Sequence, residues 1–179
     1  MSNSDVKREL RARYRRERKE RYVEHNFEYL ATSEEFKSAH VIASYISYGD
    51  EPDTRALNNA LLSAGKILVL PRIHGEVIEW VQWNGEESSL KKYKHFLEPV
   101  GEVFTEEIDL VVVPALRIDR RGIRLGQGGG FYDRALPGMK AWKIGLIHPD
   151  EISGEDLPRD EWDIALDAAA TPDLVLRFT

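Results

Sequence analysis

Four of the eleven residues in "RLGQGGGFYDR", Arg124 to Arg134, are glycine, and the run leads directly into two aromatics, an aspartate and an arginine. Glycine reaches positive φ without steric cost and leaves backbone N–H groups bare. Successive bare N–H groups form a nest for an anion, and a following helix N-terminus adds partial positive charge. The order "IDLVVVPALRIDRRGIRLGQGGGFYDRAL" places strand, loop, glycines and a short helix in sequence, the arrangement a phosphate site needs. The competing reading is a structural loop whose glycines let backbones pack closely.

Two familiar phosphate motifs do not fit. A Walker A loop needs Lys-Ser/Thr after its last glycine, and Phe131-Tyr132 stand there. The dinucleotide fingerprint, counted from Gly126 and Gly128, needs a third glycine where Phe131 lies. Asp133 adds information of a different kind, because a carboxylate repels a phosphate. A Mg²⁺ ion between them resolves the conflict, since Mg²⁺ favours one or two carboxylates plus phosphate oxygens. The alternative for Asp133 is a first-turn acid favouring the helix dipole. Arg124 and Arg134 flank the nest and either neutralise phosphate or pair with surface acids.

Around this centre the chain reads as an α/β domain with a largely parallel sheet. "HVIASYISY", "KILVLP", "IDLVVVP" and "AWKIGLI" are apolar enough for buried strands, and "EVIEWVQW" alternates like a half-exposed strand near an edge. Asp53-Thr54 opens a helix through Leu62, and a final strand is expected near Leu174 to Leu176. "FYDRAL" leaves room only for a short helix before Pro137. The N-terminal segment reads as one or two helices, with Val6, Leu10 and Tyr14 recurring every four residues and Asp5 as N-cap or first-turn acid.

Size and composition set the limits. The 179 residues suit one well-buried domain, and 42% hydrophobic with 31% charged residues is ordinary for a soluble globular protein. The longest apolar runs are strand-sized, so no membrane span is expected, and the polar N-terminus does not read as a secretory signal. The absence of cysteine removes disulfides and thiolate chemistry, and the default location is cytoplasmic. The five histidines lack metal-ligand spacing. Trp80, Trp83, Tyr93 and Trp142 read as packing residues, and none is given a ligand.

The net charge of −6 is unevenly placed. Lys7 to Arg21 holds nine Lys/Arg against three Glu, a local +6, so the remainder carries −12. This positive end points to an anionic partner: a nucleotide, a nucleic acid, or the protein's own acidic body.

Together these residues resemble the 5-formyltetrahydrofolate cyclo-ligase family, also called methenyltetrahydrofolate synthetase. The central element "VVVPALRIDRRGIRLGQGGGFYDRAL" is the specific part of the match. A Lys-x-x-Leu-Arg start at Lys7, "YISYGDEPDT", "LEP" and "EWDIALDAAATPD" follow the family order from about residue 7 to residue 173. Arg117, in "PALRID", stands where the family usually has a small or apolar residue, and Glu151 lies near a position often held by glutamine.

The resemblance implies a single compact three-layer α/β domain over residues 1–179 with an N-terminal helix. It implies an ATP- and Mg²⁺-dependent conversion of 5-formyltetrahydrofolate to 5,10-methenyltetrahydrofolate with release of ADP and phosphate. Transfer of the γ-phosphoryl group to the formyl oxygen would make that oxygen a leaving group, and the second folate nitrogen would then close the ring. By position, Lys7, Arg8, Glu9, Leu10 and Arg11 are expected at ATP, as are Arg124, Leu125, Gly126, Gln127, Gly128, Gly129, Gly130, Phe131 and Tyr132. Ile46 and Glu51 are expected at the folate, which Gln127 to Phe131 also touch. Asp133 and Asp163 are the expected metal carboxylates, and Lys7, Glu51 and Arg124 the expected catalytic groups. A monomer that engages neither nucleic acid nor membrane is expected. The rival functions are a nucleic-acid module built on "KRELRARYRRERKER" and a phosphosugar isomerase or transferase using the same nest.

Overall fold

The computed structural model describes all 179 residues. Helix α1 (Asn3–Arg21) is followed by a 3-10 turn, the short α2 (Glu34–Ser38), strand β1 (Val41–Ala43) and α3 (Arg55–Ser63). Strands β2 (Ile67–His74) and β3 (Val77–Trp83) form a hairpin, and β4 (Leu90–Tyr93) with β5 (Phe96–Pro99) forms a second. Then come β6 (Leu110–Pro114), β7 (Arg117–Asp119), β8 (Arg124–Leu125) and α4 (Phe131–Ala135). Strands β9 (Trp142–Leu146), β10 (Ile152–Ser153), β11 (Ala168–Ala170) and β12 (Val175–Arg177) complete the chain.

Seven strands form the main sheet in the order β12-β11-β9-β6-β1-β2-β3. Its five inner strands are parallel, and the antiparallel β3 and β12 close its two edges. Alternate residues feed opposite faces. Ile42, Leu68, Leu110, Val112, Ile144 and Leu146 join Phe27, Leu30, Phe36, Leu57 and Leu61 in a core on the side of α2 and α3. Val41, Ala43, Val69, Val111 and Val113 pack on the other side with Leu136, Ala141, Ile147 and Leu166. This period-two division explains why the inner strands read as continuous apolar runs.

Three short pieces of sequence depart from the expected elements. "HVIASYISY" is a strand only over Val41–Ala43; beyond it the backbone leaves the ladder, and Thr54 Oγ1 and Asn58 Nδ2 hydrogen-bond the Tyr45 carbonyl at 2.6 and 3.0 Å. Thr54 therefore holds the preceding loop rather than capping α3 with its side chain. "LKKYKHFLEP" forms the β4–β5 hairpin and "DAAAT" supplies β11, neither of which the apolar pattern announces.

Helix α1 lies outside the two main cores. Ser2 is its N-cap and Asp5 completes a capping box, so Asp5 is the first-turn acid. The inward stripe runs Lys7, Leu10 and Arg11, Tyr14 and Arg18, with a small apolar cluster of Tyr14, Ile123, Leu125 and Leu157 beneath Leu10. Most of its attachment is polar. Lys7 pairs with Asp160 and Asp163, Arg11 Nε–H donates to the Gly126 carbonyl at 2.9 Å, and Arg15 donates to the Gln127 side chain at 2.9 Å. Buried Arg18 pairs with Glu151 at 2.8 Å and donates to the Ala115 carbonyl at 2.7 Å. Much of the positive field of this helix is thus directed at the protein's own body.

Candidate active site

The main sheet reverses its direction of growth between β1 and β6: β2 and β3 continue to one side, and β9, β11 and β12 to the other. At such a switch point the loops leaving neighbouring strands diverge and open a crevice at the strands' carboxyl ends. A cavity of about 220 Å³ lies there. Tyr45, Ile46, Tyr48 and Glu51 line it from the chain after β1, Pro114 from the end of β6, and Gly126 to Asp133 from the stretch after β8. Pro71, Ile73, Phe96 and Leu97 complete an apolar wall. Ile46, Tyr48, Glu51 and Leu97 also face a neighbouring groove, so Glu51 stands between two adjoining spaces.

The glycine stretch owes its shape to two residues at positive φ, Gly128 at +107° and Gly130 at +72°. Gly130 is the N-cap of α4, and its left-handed conformation turns the chain into that helix. Gly128 lies under the Arg11 guanidinium, whose Nε would sit 3.5 Å from a Cβ at this position. The nest therefore carries a cation above it, supplied by a helix more than a hundred residues away in sequence.

Arg124 ties the parts together. Its Nη1 donates to the Pro114 carbonyl at 2.9 Å and its Nη2 to Asp133 Oδ1 at 3.0 Å, while its guanidinium lies 5.5 Å from the Tyr132 ring centroid. Arg134 binds the Gly129 carbonyl at 3.1 Å and the Glu76 carbonyl at 2.7 Å, and so braces the nest from outside. Deeper in the loop, buried Asp119 accepts from the N–H groups of Ile123 and Leu157 and from Arg121. Burial alone would raise the Asp119 pKa, but these donors outweigh it and hold the carboxyl below its ordinary value.

Glu51 behaves in the opposite way. Burial raises its pKa to about 7, and the Tyr48 N–H at 3.0 Å and the charge of Arg18 only partly offset that rise. A carboxyl that titrates near neutrality in a ligand-sized cavity is suited to exchanging a proton.

The expected ATP and folate residues do not all meet here. Ile46, Glu51, Arg124, Gly126 to Tyr132 and Asp133 share the cavity. Leu10 and Leu125 are packing residues between α1 and the body. Arg8 pairs with Asp5 at the surface and Glu9 is exposed. Lys7 lies outside the cavity wall, with Asp160 Oδ2 at 2.6 Å and Asp163 Oδ2 at 2.9 Å. The two expected metal carboxylates are held apart by different partners, Asp163 by Lys7 and Asp133 by Arg124.

The family model described as the 5-formyltetrahydrofolate cyclo-ligase family matches residues 3–172. The chain belongs to this family. A 5-formyltetrahydrofolate cyclo-ligase of Escherichia coli K12 is 34% identical over 148 residues, covering 76% of this chain and 80% of that one. Its counterpart in Mycolicibacterium smegmatis is 30% identical over 148 residues, covering 75% of each chain. The NMR structure of Aquifex aeolicus 5,10-methenyltetrahydrofolate synthetase superimposes with a TM-score of 0.76 at 30% identity, over 99% of this chain and 93% of that one. The cyclo-ligase fold and the methenyltetrahydrofolate synthetase activity follow from these matches, and the family uses ATP.

The two residues that depart from the cyclo-ligase pattern are accounted for by the helix they hold. Arg117 pairs with Glu17 at 2.6 Å and lies 4.2 Å from the Tyr14 ring centroid, while Glu151 receives Arg18 and the His148 N–H. Both fasten α1 to the body and neither lines the cavity. No helix is long and apolar enough to cross a membrane.

Proposed function

We propose that the cavity at the switch point joins the two substrates of the cyclo-ligase reaction, with the ATP phosphates on the glycine stretch and the formyl-bearing end of the folate at Glu51. The observation that carries this reading is the shared wall: Glu51 and Gly126 to Gly130 come from distant parts of the sequence and line one cavity.

A formyl oxygen on nitrogen leaves poorly, and Mg-ATP supplies the phosphoryl group that makes it a leaving group. For this the chain must position two ligands and neutralise charge, which is most of what phosphoryl transfer asks of a protein. Arg11 over Gly128 and Arg124 at the end of the nest provide two cations at the glycine stretch. The bare N–H groups between them are the acceptor-free partners a phosphate needs. Glu51 holds an N–H of the folate, or takes the proton released when the second nitrogen attacks the formyl carbon.

The expected metal residues fit Mg²⁺ in a limited sense. No three acidic or histidine side chains gather into a preformed cage. Asp133 engages Arg124 through Oδ1, and Asp163 engages Lys7 and the Asp160 N–H through Oδ2. Each carboxylate keeps a second oxygen, which matches an ion held by one or two carboxylates and by substrate phosphates. Asp133 is the better placed because it lines the cavity.

ADP release measured with and without 5-formyltetrahydrofolate tests the shared cavity. Release that depends on both the folate and Mg²⁺ supports it. ATP hydrolysis indifferent to the folate contradicts it, as does turnover of the folate without ATP.

A further inference from the structure

Two tyrosine hydroxyls in this cavity have no hydrogen-bond partner. The oxygens of Tyr45 and Tyr132 are both buried and both unpaired, and both residues line the cavity that contains Glu51. Buried hydroxyls nearly always find a partner, and leaving one without is expensive. Two such groups against one apolar wall therefore mark a place where polar atoms of a ligand belong.

Both rings are held firmly. Tyr45 is 5% exposed, and its carbonyl accepts from Thr54 Oγ1 at 2.6 Å and Asn58 Nδ2 at 3.0 Å, which fixes the backbone from which the ring projects. Asn58 is itself oriented by the Ser44 hydroxyl at 2.6 Å. Tyr132 packs edge-on against Trp80 at 6.3 Å between ring centroids and lies beneath the Arg124 guanidinium. The Tyr132 ring cannot leave its place without losing its contacts with Trp80 and Arg124. Tyr45, Tyr132 and Glu51 all line the same cavity.

We propose that Tyr45 is a substrate-positioning residue whose hydroxyl, together with that of Tyr132, hydrogen-bonds the polar edge of the folate's bicyclic ring beside Glu51. The surrounding Ile46, Pro71, Ile73 and Ile78 give that ring apolar faces to lie against. A flat heterocycle carrying amide and amine groups along one edge satisfies both halves of this environment. Recognition of this kind discriminates sharply, because an analogue lacking the edge groups leaves the hydroxyls unpaired again. The proposal rests on the placement of the folate in this cavity, and the experiment separates the two.

The test uses the intact enzyme with Tyr45→Phe and Tyr132→Phe, which keep the rings and remove the oxygens. Wild-type enzyme is first assayed for ATP-dependent methenyl formation; no product from wild type would remove the underlying placement before any variant is considered. With wild type active, Tyr45→Phe is expected to raise KM for 5-formyltetrahydrofolate roughly three- to tenfold, the range of one neutral hydrogen bond. KM for ATP should stay within about twofold, and Tm should be unchanged or higher, because an unpaired buried hydroxyl has been removed. Tyr132→Phe should shift the same folate parameter. An unchanged folate KM in Tyr45→Phe overturns the proposal. A lowered Tm with equal losses for both substrates also overturns it, since that pattern belongs to a packing role.

Discussion

Lys7 and Asp163 lie 156 residues apart in the sequence and meet as an ion pair of 2.9 Å. One was expected at the ATP phosphates and the other at the metal, yet each is occupied by the other, with Asp160 as a third partner at 2.6 Å. Burial alone would lower the Lys7 pKa, but the two carboxylates outweigh it and keep the amine firmly charged. Arg11, one turn further along α1, reaches the glycine stretch and feels both Asp163 and Asp133. Opposite charges thus alternate along the seam between α1 and the nest.

Removal of either partner should therefore be felt at the nucleotide. Lys7→Ala is expected to raise KM for ATP about tenfold or more, since a charge-assisted hydrogen bond contributes on the order of 1.5–3 kcal/mol. Affinity for the folate should change little. Combined with Asp163→Asn, the losses should not add, because both side chains act through one pair. Strict additivity would show that Lys7 and Asp163 serve separate ends of the site.

Gly128→Val tests the nest itself. The backbone there has φ of +107°, a region that costs a β-branched residue on the order of 1–3 kcal/mol, and the new side chain would rise toward Arg11. ATP affinity measured by calorimetry should fall sharply while folate affinity holds. Wild-type ATP affinity in this variant would remove the phosphates from the glycine stretch.

Asp133→Asn keeps shape and removes charge. Its partner Arg124 retains the Pro114 carbonyl, and Asp133 is partly exposed, so stability should fall by less than about 1 kcal/mol. The Mg²⁺ concentration for half-maximal turnover should rise and kcat should drop. An unchanged Mg²⁺ response would leave Asp133 as an ordinary first-turn acid favouring the helix dipole.

Glu51 gives a pH-dependent signature. Its folded pKa of about 7 lies above the ordinary value of 4.5. Below that ordinary value both folded and unfolded chains hold the proton, and Glu51 has no effect on the pH dependence of stability. Between the two values only the folded chain keeps it, so stability declines as pH rises, and above 7 the full cost is present. Glu51→Gln removes this cost: its Tm should exceed that of wild type at pH 8 and approach it near pH 4.5. At pH 8 it should also lower methenyl formation at least about tenfold with ATP binding nearly intact. A Tm difference that does not vary with pH would mean that the carboxyl is not perturbed.

The sequence showed most clearly what depends on local pattern. The buried strands, the edge position of β3, the short α4 and the turn of the glycine stretch into it all rest on periodicity or on glycine's freedom at positive φ. Features that rest on distant partners were less visible. Arg18 sits among nine basic residues of one helix, and nothing local separates it from Arg16; only Glu151 and the Ala115 carbonyl make it buried. The hairpin "LKKYKHFLEP" is charged and lacks a strong turn dipeptide, so its pairing depends on β2 and the cavity wall against which it lies. Tyr45 falls inside an apolar run that reads as core. Its unpaired hydroxyl emerges only when β1 ends early and the chain bends over the cavity.

Glu51 and the glycine stretch line one cavity, and a single reaction tests whether that cavity couples ATP to the folate. The protein is mixed with Mg-ATP and 5-formyltetrahydrofolate, and absorbance is followed in the methenyl-folate band, with each component then omitted in turn. Growth of the band with one ADP formed per methenyl product, and none without ATP or Mg²⁺, is the predicted result. ATP consumption without methenyl product, or methenyl product without ATP, would contradict it.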